Sequence, residues 1–308
     1  MTICSDVAVV IRTCGERTLE ICKQLVEEQV EHKNIVVINE IPFSKAVRKT
    51  FEIGLDYHLP WTLAIDADVL IAKNAIREVI KAAHDYDQKT FKFTGRVCDK
   101  LFLKPRAGGI HLYRSCHLEA ALKIFPTEEF IRPETQIADM LQQKGNLSNP
   151  FLGVMVGIHD YEQWYRDIYR KAFVHANKHG NSYVTGFLRN WSKRMNEDND
   201  YKVALVGLCH GIAAREKIVI DIRKLPMNYE DNELLNEIVE KPPLNMDSME
   251  GNPSHYVESI LYANRHPRLS ELKAMVERAG PIRVVPGLFF YMLNKLSRRG
   301  WQWANHSR

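Results

Sequence analysis

Trp61-Thr62-Leu63-Ala64-Ile65-Asp66-Ala67-Asp68-Val69-Leu70 is an apolar run that ends in two carboxylates one residue apart. Extended backbone turns residues i and i+2 to the same side, so Asp66 and Asp68 can face one object. Neighbouring carboxylates repel unless a cation lies between them, and oxygen donors suit a divalent metal. Acids at a strand end are also commonly solvated or cap the next helix, so the surrounding chain has to decide.

Upstream, residues 7–12 (Val-Ala-Val-Val-Ile-Arg) form a continuous apolar run of the kind a doubly buried strand shows. Thr13-Cys14-Gly15 turns the chain, and residues 16–29 place Leu19, Cys22, Leu25 and Val26 at helical spacing. A second strand is expected at 35–39 and a helix from a Ser44 cap to about residue 57. The third strand covers 61–65 and a third helix 74–84. Strand, helix, strand, helix, strand predicts a parallel α/β sheet with right-handed crossovers. The two acids then fall at the carboxyl edge of the sheet, where open α/β folds bind ligands.

Downstream, short strands are expected at 90–94 and 109–113, helices at 115–125 and 133–144, a strand at 151–157 and a long helix at 161–179. Pro133 suits the first turn of its helix and Gly145 the end. The apolar strand leads into Ile158-His159-Asp160. From about residue 181 the chain is predicted helical at 183–195, 200–214, 232–241, 255–264 and 270–278, with 242–253 as a loop.

The 308 residues are 45% hydrophobic and 26% charged, as in an ordinary globular protein. A net charge of +4, dispersed along the chain, gives no basis for nucleic-acid binding. The six cysteines include no CxxC pair, so no zinc site is indicated; reduced thiols in a cytosolic protein are expected. Residues 281–308 hold five Lys/Arg and no acid, with Phe289, Met292, Leu293 and Leu296 on one helical face and Trp301 and Trp303 beyond. That composition fits a helix lying in a membrane interface, at the inner face for a cytosolic protein; a helix docked on its own domain fits equally well.

Over about residues 7–180 the pattern resembles a GT-A glycosyltransferase of the family 2 type. Asp66-Ala67-Asp68 matches the family's DxD motif at the usual place after a βαβαβ unit. The resemblance implies an α/β GT-A fold with a mostly parallel central sheet: a catalytic domain at 1–180, its nucleotide-sugar half about 1–105 and acceptor half about 106–180. A helical region, 181–308, follows. It implies Mn²⁺ or Mg²⁺ held by Asp66, Asp68 and His159, with Asp68 the direct ligand and Asp66 acting through water or the ribose. Nucleotide-sugar contacts are implied for Thr13, Arg17, Glu40, Lys45, Arg48, Asp66 and Ala67. Gly108 and Gly109 would form a turn lining the donor sugar.

The catalytic base implied is Glu134, with Asp139 second. Here the chain departs from the family: Pro133 stands where the first acid of the usual pair would be. No QxxRW motif is present, which argues against a processive synthase. The implied reaction moves a sugar with inversion from a UDP- or GDP-linked donor to the hydroxyl of a glycan or lipid-linked acceptor, in cell-surface glycan synthesis. Two other readings stay open. A nucleotidyltransferase would want a Gly- and Arg-rich loop after the first strand, where only Gly15 is found. A non-catalytic domain of this fold would bind a glycan or partner. His175 and His179, one helical turn apart, are expected on a solvated face.

Overall fold

Six consecutive residues with no polar face except at the end make β1 (Val7–Arg12), and every one of them is buried. The structure, a computed structural model, describes residues 3–126, 132–214, 235–245, 249 and 251–265. Strands β2 (Ile35–Ile38) and β3 (Trp61–Asp66) lie on either side of β1, both parallel to it. The crossovers α1 (Leu19–Glu27) and α2 (Phe43–Asp56) bury one stripe each, Ile21, Cys22, Leu25 and Val26 in the first and Val47 and Phe51 in the second. Each fully buried aliphatic side chain contributes about 1.5–3 kcal/mol, which is why these stripes fix the helices. Ser44 lies inside α2 and is not its cap; Pro42 precedes the first turn.

After β3 the chain continues through β4 (Val69–Ile71), α3 (Ala75–His84), β5 (Lys92–Asp99) and β6 (Lys104–Arg114). Then come α4 (Leu118–Lys123), α5 (Pro133–Gly145), β7 (Phe151–His159), α6 (Tyr165–Lys178), α7 (Asn181–Ser192), α8 (Asn199–Ala213) and α9 (Pro253–Arg265). The sheet order is β2-β1-β3-β6-β5-β7-β4. β1, β2, β3, β5 and β7 run one way, β6 and β4 the other. This is an α/β sheet, as expected, with three of its six strand pairings parallel and three antiparallel, where a mostly parallel sheet was expected; β1, β3, β5 and β7 end at one common edge.

Several local expectations differ. The strands expected at 90–94 and 109–113 are the long β5 and β6, and Gly108-Gly109 lies inside β6 instead of in a turn before it. The helix expected at 232–241 is absent over its described part: residues 235–237 form a turn and 238–245 are irregular. Their side chains are spent on docking. Leu235 is buried with Trp191, Tyr201 and Val203, Glu240 accepts the Tyr165 and Arg166 backbone N–H groups at the start of α6, and Lys241 pairs with Asp200 at 2.6 Å. His175 is buried, not solvated, and stacks with His179 between Phe102 and Phe187.

By internal contacts the chain divides into Met1–Glu258 and Ser259–Arg308. The first unit contains α7 and α8, which share a core with α6 and the segment after β5; the Trp191 indole donates to Leu101 O at 2.7 Å. α8 packs on α6 so closely that a Cβ on Gly207 would lie 2.4 Å from Tyr169 O. Of the second unit the described residues are Ser259–Arg265, the end of α9. The helix expected at 270–278 and the basic aromatic segment 281–308 lie outside the described residues. No described helix is long and apolar enough to cross a membrane, and all six cysteines are free thiols.

Candidate metal and donor site

Sheet register assembles the site. β7 lies between β5 and β4, pairing His159 with Asp99 on one side and with Val69 on the other. Asp68, just before Val69, and Asp160, just after His159, are thereby neighbours; the Asp160 N–H points at Asp68 O at 3.4 Å. Asp160 takes a left-handed φ of 66° to make this turn.

Asp68, His159 and Asp160 each offer one donor atom, and these atoms lie within 4.8 Å of one another. His159 Nε2 is 3.4 Å from Asp68 Oδ2, while Nδ1 is 2.8 Å from Asp99 Oδ2 and 2.9 Å from Asp160 Oδ2. Asp99 is itself fixed by Arg106 Nε and by the Phe102 N–H. A carboxylate on Nδ1 leaves Nε2 as the ligating nitrogen, the usual arrangement behind a metal-binding imidazole. Asp68 Oδ1 and Asp160 Oδ2 are buried with no hydrogen bond of good geometry among the described residues. Two carboxylates and one imidazole, with one donor atom of each within 4.8 Å of the others, are a donor set that fits Mn²⁺ or Mg²⁺ once the imidazole is neutral.

The Lys171 ammonium, from α6, is 2.5 Å from Asp68 Oδ2 and also contacts Asp160 Oδ1. Burial opposes ionisation of Asp68, but His159 and Lys171 overcome it and hold the carboxyl well below its usual range. For His159, burial disfavours the charge, and Asp160 with Asp68 outweighs it, raising the imidazole well above its usual value.

Asp66 is not part of that cluster. β3 ends at Asp66 and Asp68 lies in the turn before β4, so the two acids take different partners, while the negative charge of Asp68 still acts on Asp66. Arg12, at the end of β1, reaches Asp66 Oδ1 through Nε at 2.9 Å and Nη2 at 2.7 Å, and Glu134 Oε1 through Nη1 at 2.8 Å. Glu134 also accepts from the Tyr113 hydroxyl at 2.6 Å and lies 3.2 Å from His111 Nε2. Burial opposes the Glu134 charge, yet Arg12 and His111 hold the carboxyl well below its ordinary range. Asp66 goes the other way: burial raises it against Arg12, helped by the negative Asp68 and Glu134.

The glycine pair has a steric role here. Gly108 and Gly109 take φ of 135° and 76° at an irregularity in the β5–β6 pairing. A Cβ on Gly109 would come within 2.7 Å of Val69 Cγ2 and into ordinary contact with His159 Cδ2 at 3.4 Å, so a side chain there would push on Val69, the residue after Asp68.

The other sequence-derived residues fall in different places. Thr13 donates to Glu16 at 2.5 Å. Arg17 is committed to Glu162 at 2.7 Å, Pro242 O and the face of Trp164. Ala67 is buried and its carbonyl accepts from Thr18. Glu40 and Lys45 are exposed, and so is Arg48, which pairs with Glu52 and lies over Phe125. Asp139 is exposed on α5, away from the buried face that carries Glu134. The sequence reading did not single out Arg12, Asp99, Arg106, His111 or Lys171. A charged residue closing an apolar strand was a visible signal for Arg12; nothing local marks the others.

No protein-family model matches the chain, and no curated protein matches it in sequence. Several solved structures show a partial likeness, among them these three. One is the mannosyltransferase PcManGT from Pyrobaculum calidifontis, in complex with GDP-Man and Mn2+. It is 16% identical, covers 69% of this chain and 76% of its own, and has a TM-score of 0.34. The second is a glycosyltransferase involved in the glycosylation of the major capsid of PBCV-1. It is 9% identical over 47% of this chain and 79% of its own, TM-score 0.32. The third is A197 from STIV, 12% identical over 40% of this chain and 70% of its own, TM-score 0.31. Likenesses of this size carry nothing about activity.

Proposed function

We propose that this chain is a metal-dependent glycosyltransferase that moves a sugar from a nucleoside diphosphate sugar to a hydroxyl acceptor, with inversion. One observation carries the reading: Asp68, His159 and Asp160 bring one donor atom each within 4.8 Å of the others at the carboxyl edge of an α/β sheet, the edge where such sheets bind ligands. Mn²⁺ or Mg²⁺ bound there would neutralise a leaving diphosphate as a Lewis acid.

The protein's own groups take the remaining roles. Asp99 and Arg106 hold the imidazole of His159 in one orientation. Asp66, fixed by Arg12 and about a third exposed at its side chain, faces the ribose or a metal-bound water. Glu134 is assigned the proton of the acceptor hydroxyl. In the resting site its three donors keep it ionised and make it a weak base, so it takes up that proton only after the acceptor has displaced one of them. Asp139 is the second candidate for this role. Thr13, Glu40, Lys45, Arg48, Gly108 and Gly109 line the donor side in this reading. Arg17 shapes that side indirectly, by holding Pro242 and Glu162.

The test is calorimetry with UDP and GDP, each with and without Mn²⁺, on the wild type and Asp68→Asn, followed by a sugar-nucleotide hydrolysis screen. Binding that needs both the metal and Asp68 supports the reading. Absence of UDP and GDP binding in the presence of Mn²⁺ rejects it and leaves the non-catalytic alternative.

A further inference from the structure

The seat of the metal already holds a cation. Lys171 Nζ bridges Asp68 Oδ2 and Asp160 Oδ1, the carboxylates that would ligate a metal. Asp160 is 1% exposed at its side chain and Asp68 12%, so neither can turn to water for compensation. Lys171 itself is 27% exposed and rides on a flexible four-carbon stem that ends in a compact point charge. Ammonium and divalent ion need the same oxygens, and two cations sharing them would repel at short range with little water between. Loss of the ammonium alone would leave two buried carboxylates with His159 as their shared counter-charge, one positive group for two negative ones, which is costly.

We propose that Lys171 is the resident counter-ion of this seat. A divalent ion enters by displacing its ammonium from Asp68 and Asp160, and the displaced ammonium is taken up by the diphosphate of the nucleotide. The second half rests on the transferase reading above; the first half needs only the metal seat. Metal and nucleoside diphosphate then bind cooperatively: the metal alone competes with Lys171, whereas the nucleotide gives the ammonium a new anionic partner. The coupling is reciprocal by linkage.

The test measures Mn²⁺ binding directly, from the electron paramagnetic resonance of free Mn²⁺, on the wild type, Lys171→Met and Lys171→Gln, each with and without GDP. Without nucleotide, both variants are expected to bind Mn²⁺ about ten-fold or more tightly than the wild type, roughly 1.4 kcal/mol. GDP is expected to strengthen Mn²⁺ binding by the wild type more than by either variant. Equal or weaker Mn²⁺ binding by folded variants without nucleotide overturns the displacement. Equal strengthening by GDP in all three proteins overturns the hand-over to the diphosphate. A wild type that takes up Mn²⁺ but never GDP rejects the transferase reading and the hand-over while leaving the displacement to the nucleotide-free comparison.

A measurement on the wild type covers the case in which the variants do not fold. With lysine ¹³C-labelled at Cε, Mg²⁺ should shift one lysine resonance, that of the ion-paired Lys171, and an unshifted spectrum at saturating Mg²⁺ overturns the displacement.

Discussion

Arg12→Met tests the electrostatic frame of the site. Arg12 is 4% exposed and makes three close contacts with two carboxylates, at 2.7, 2.8 and 2.9 Å. Methionine fills much of the stem's volume and removes the charge. Removing one partner of a buried ion pair costs about 3–5 kcal/mol, because the other charge is left uncompensated. Two features put this case at the lower end. Asp66, about a third exposed at its side chain, can recruit water, and Glu134 keeps Tyr113 and His111 as donors. The expected loss at pH 7 is therefore about 3 kcal/mol, or roughly 6–12 °C in Tm for a unit of this size.

The sign with pH follows from Glu134. Its folded pKa is depressed, so the pairing contributes in full above the unfolded carboxylate value near ~4.3 and is lost as pH falls toward the folded value. The gap between wild type and Arg12→Met should be constant from pH 6 to 8 and narrow below about pH 4.5. Urea unfolding across this range measures it, and a double-mutant cycle with Glu134→Gln isolates the pair; a coupling of about 1–3 kcal/mol is expected. A loss under about 1 kcal/mol at pH 7, or a coupling near zero, would refute the claim that Arg12 ties β1 to α5 through Glu134.

Other perturbations separate packing from chemistry. Gly207→Ala places a methyl against Tyr169 O, so it should lower stability by about 1–3 kcal/mol in urea without changing Mn²⁺ binding. Acidification should weaken the fold through His175 and His179. Burial holds His175 well below its usual value and His179 at about 4, so the unfolded chain takes up protons that the folded one refuses. Tm should then fall as pH drops from about 6.5 toward 4, and His175→Leu should flatten that slope. Glu240→Ala removes the acceptor for two N–H groups at the start of α6. It should cost about 1 kcal/mol and speed amide exchange at Tyr165 and Arg166. Gly109→Ala should weaken Mn²⁺ binding by displacing Val69 next to Asp68 while leaving α7 and α8 unchanged in amide exchange.

The sequence by itself determined the α/β class and the edge at which the site lies. These rest on local signals: a doubly buried strand needs an uninterrupted apolar run, and β1 and β3 have one; an amphipathic crossover helix shows a 3.6-residue stripe, as α1 does. His159 could be pointed to for the same reason, because an apolar strand leads into it. What only the tertiary structure decided is which charges meet. Asp66 and Asp68 are one residue apart in sequence, yet one turn of chain gives the first Arg12 as partner and the second His159 and Lys171. Lys171 approaches Asp68 from 103 residues away, and Glu134 reaches Arg12 across 122. The reason is physical: periodicity reports how each segment buries its own apolar face, whereas a buried ion pair depends on register between strands distant in the chain. No spacing along a single segment carries that information: the acids at 66 and 68 were visible in the sequence, and the sheet register chose their partners.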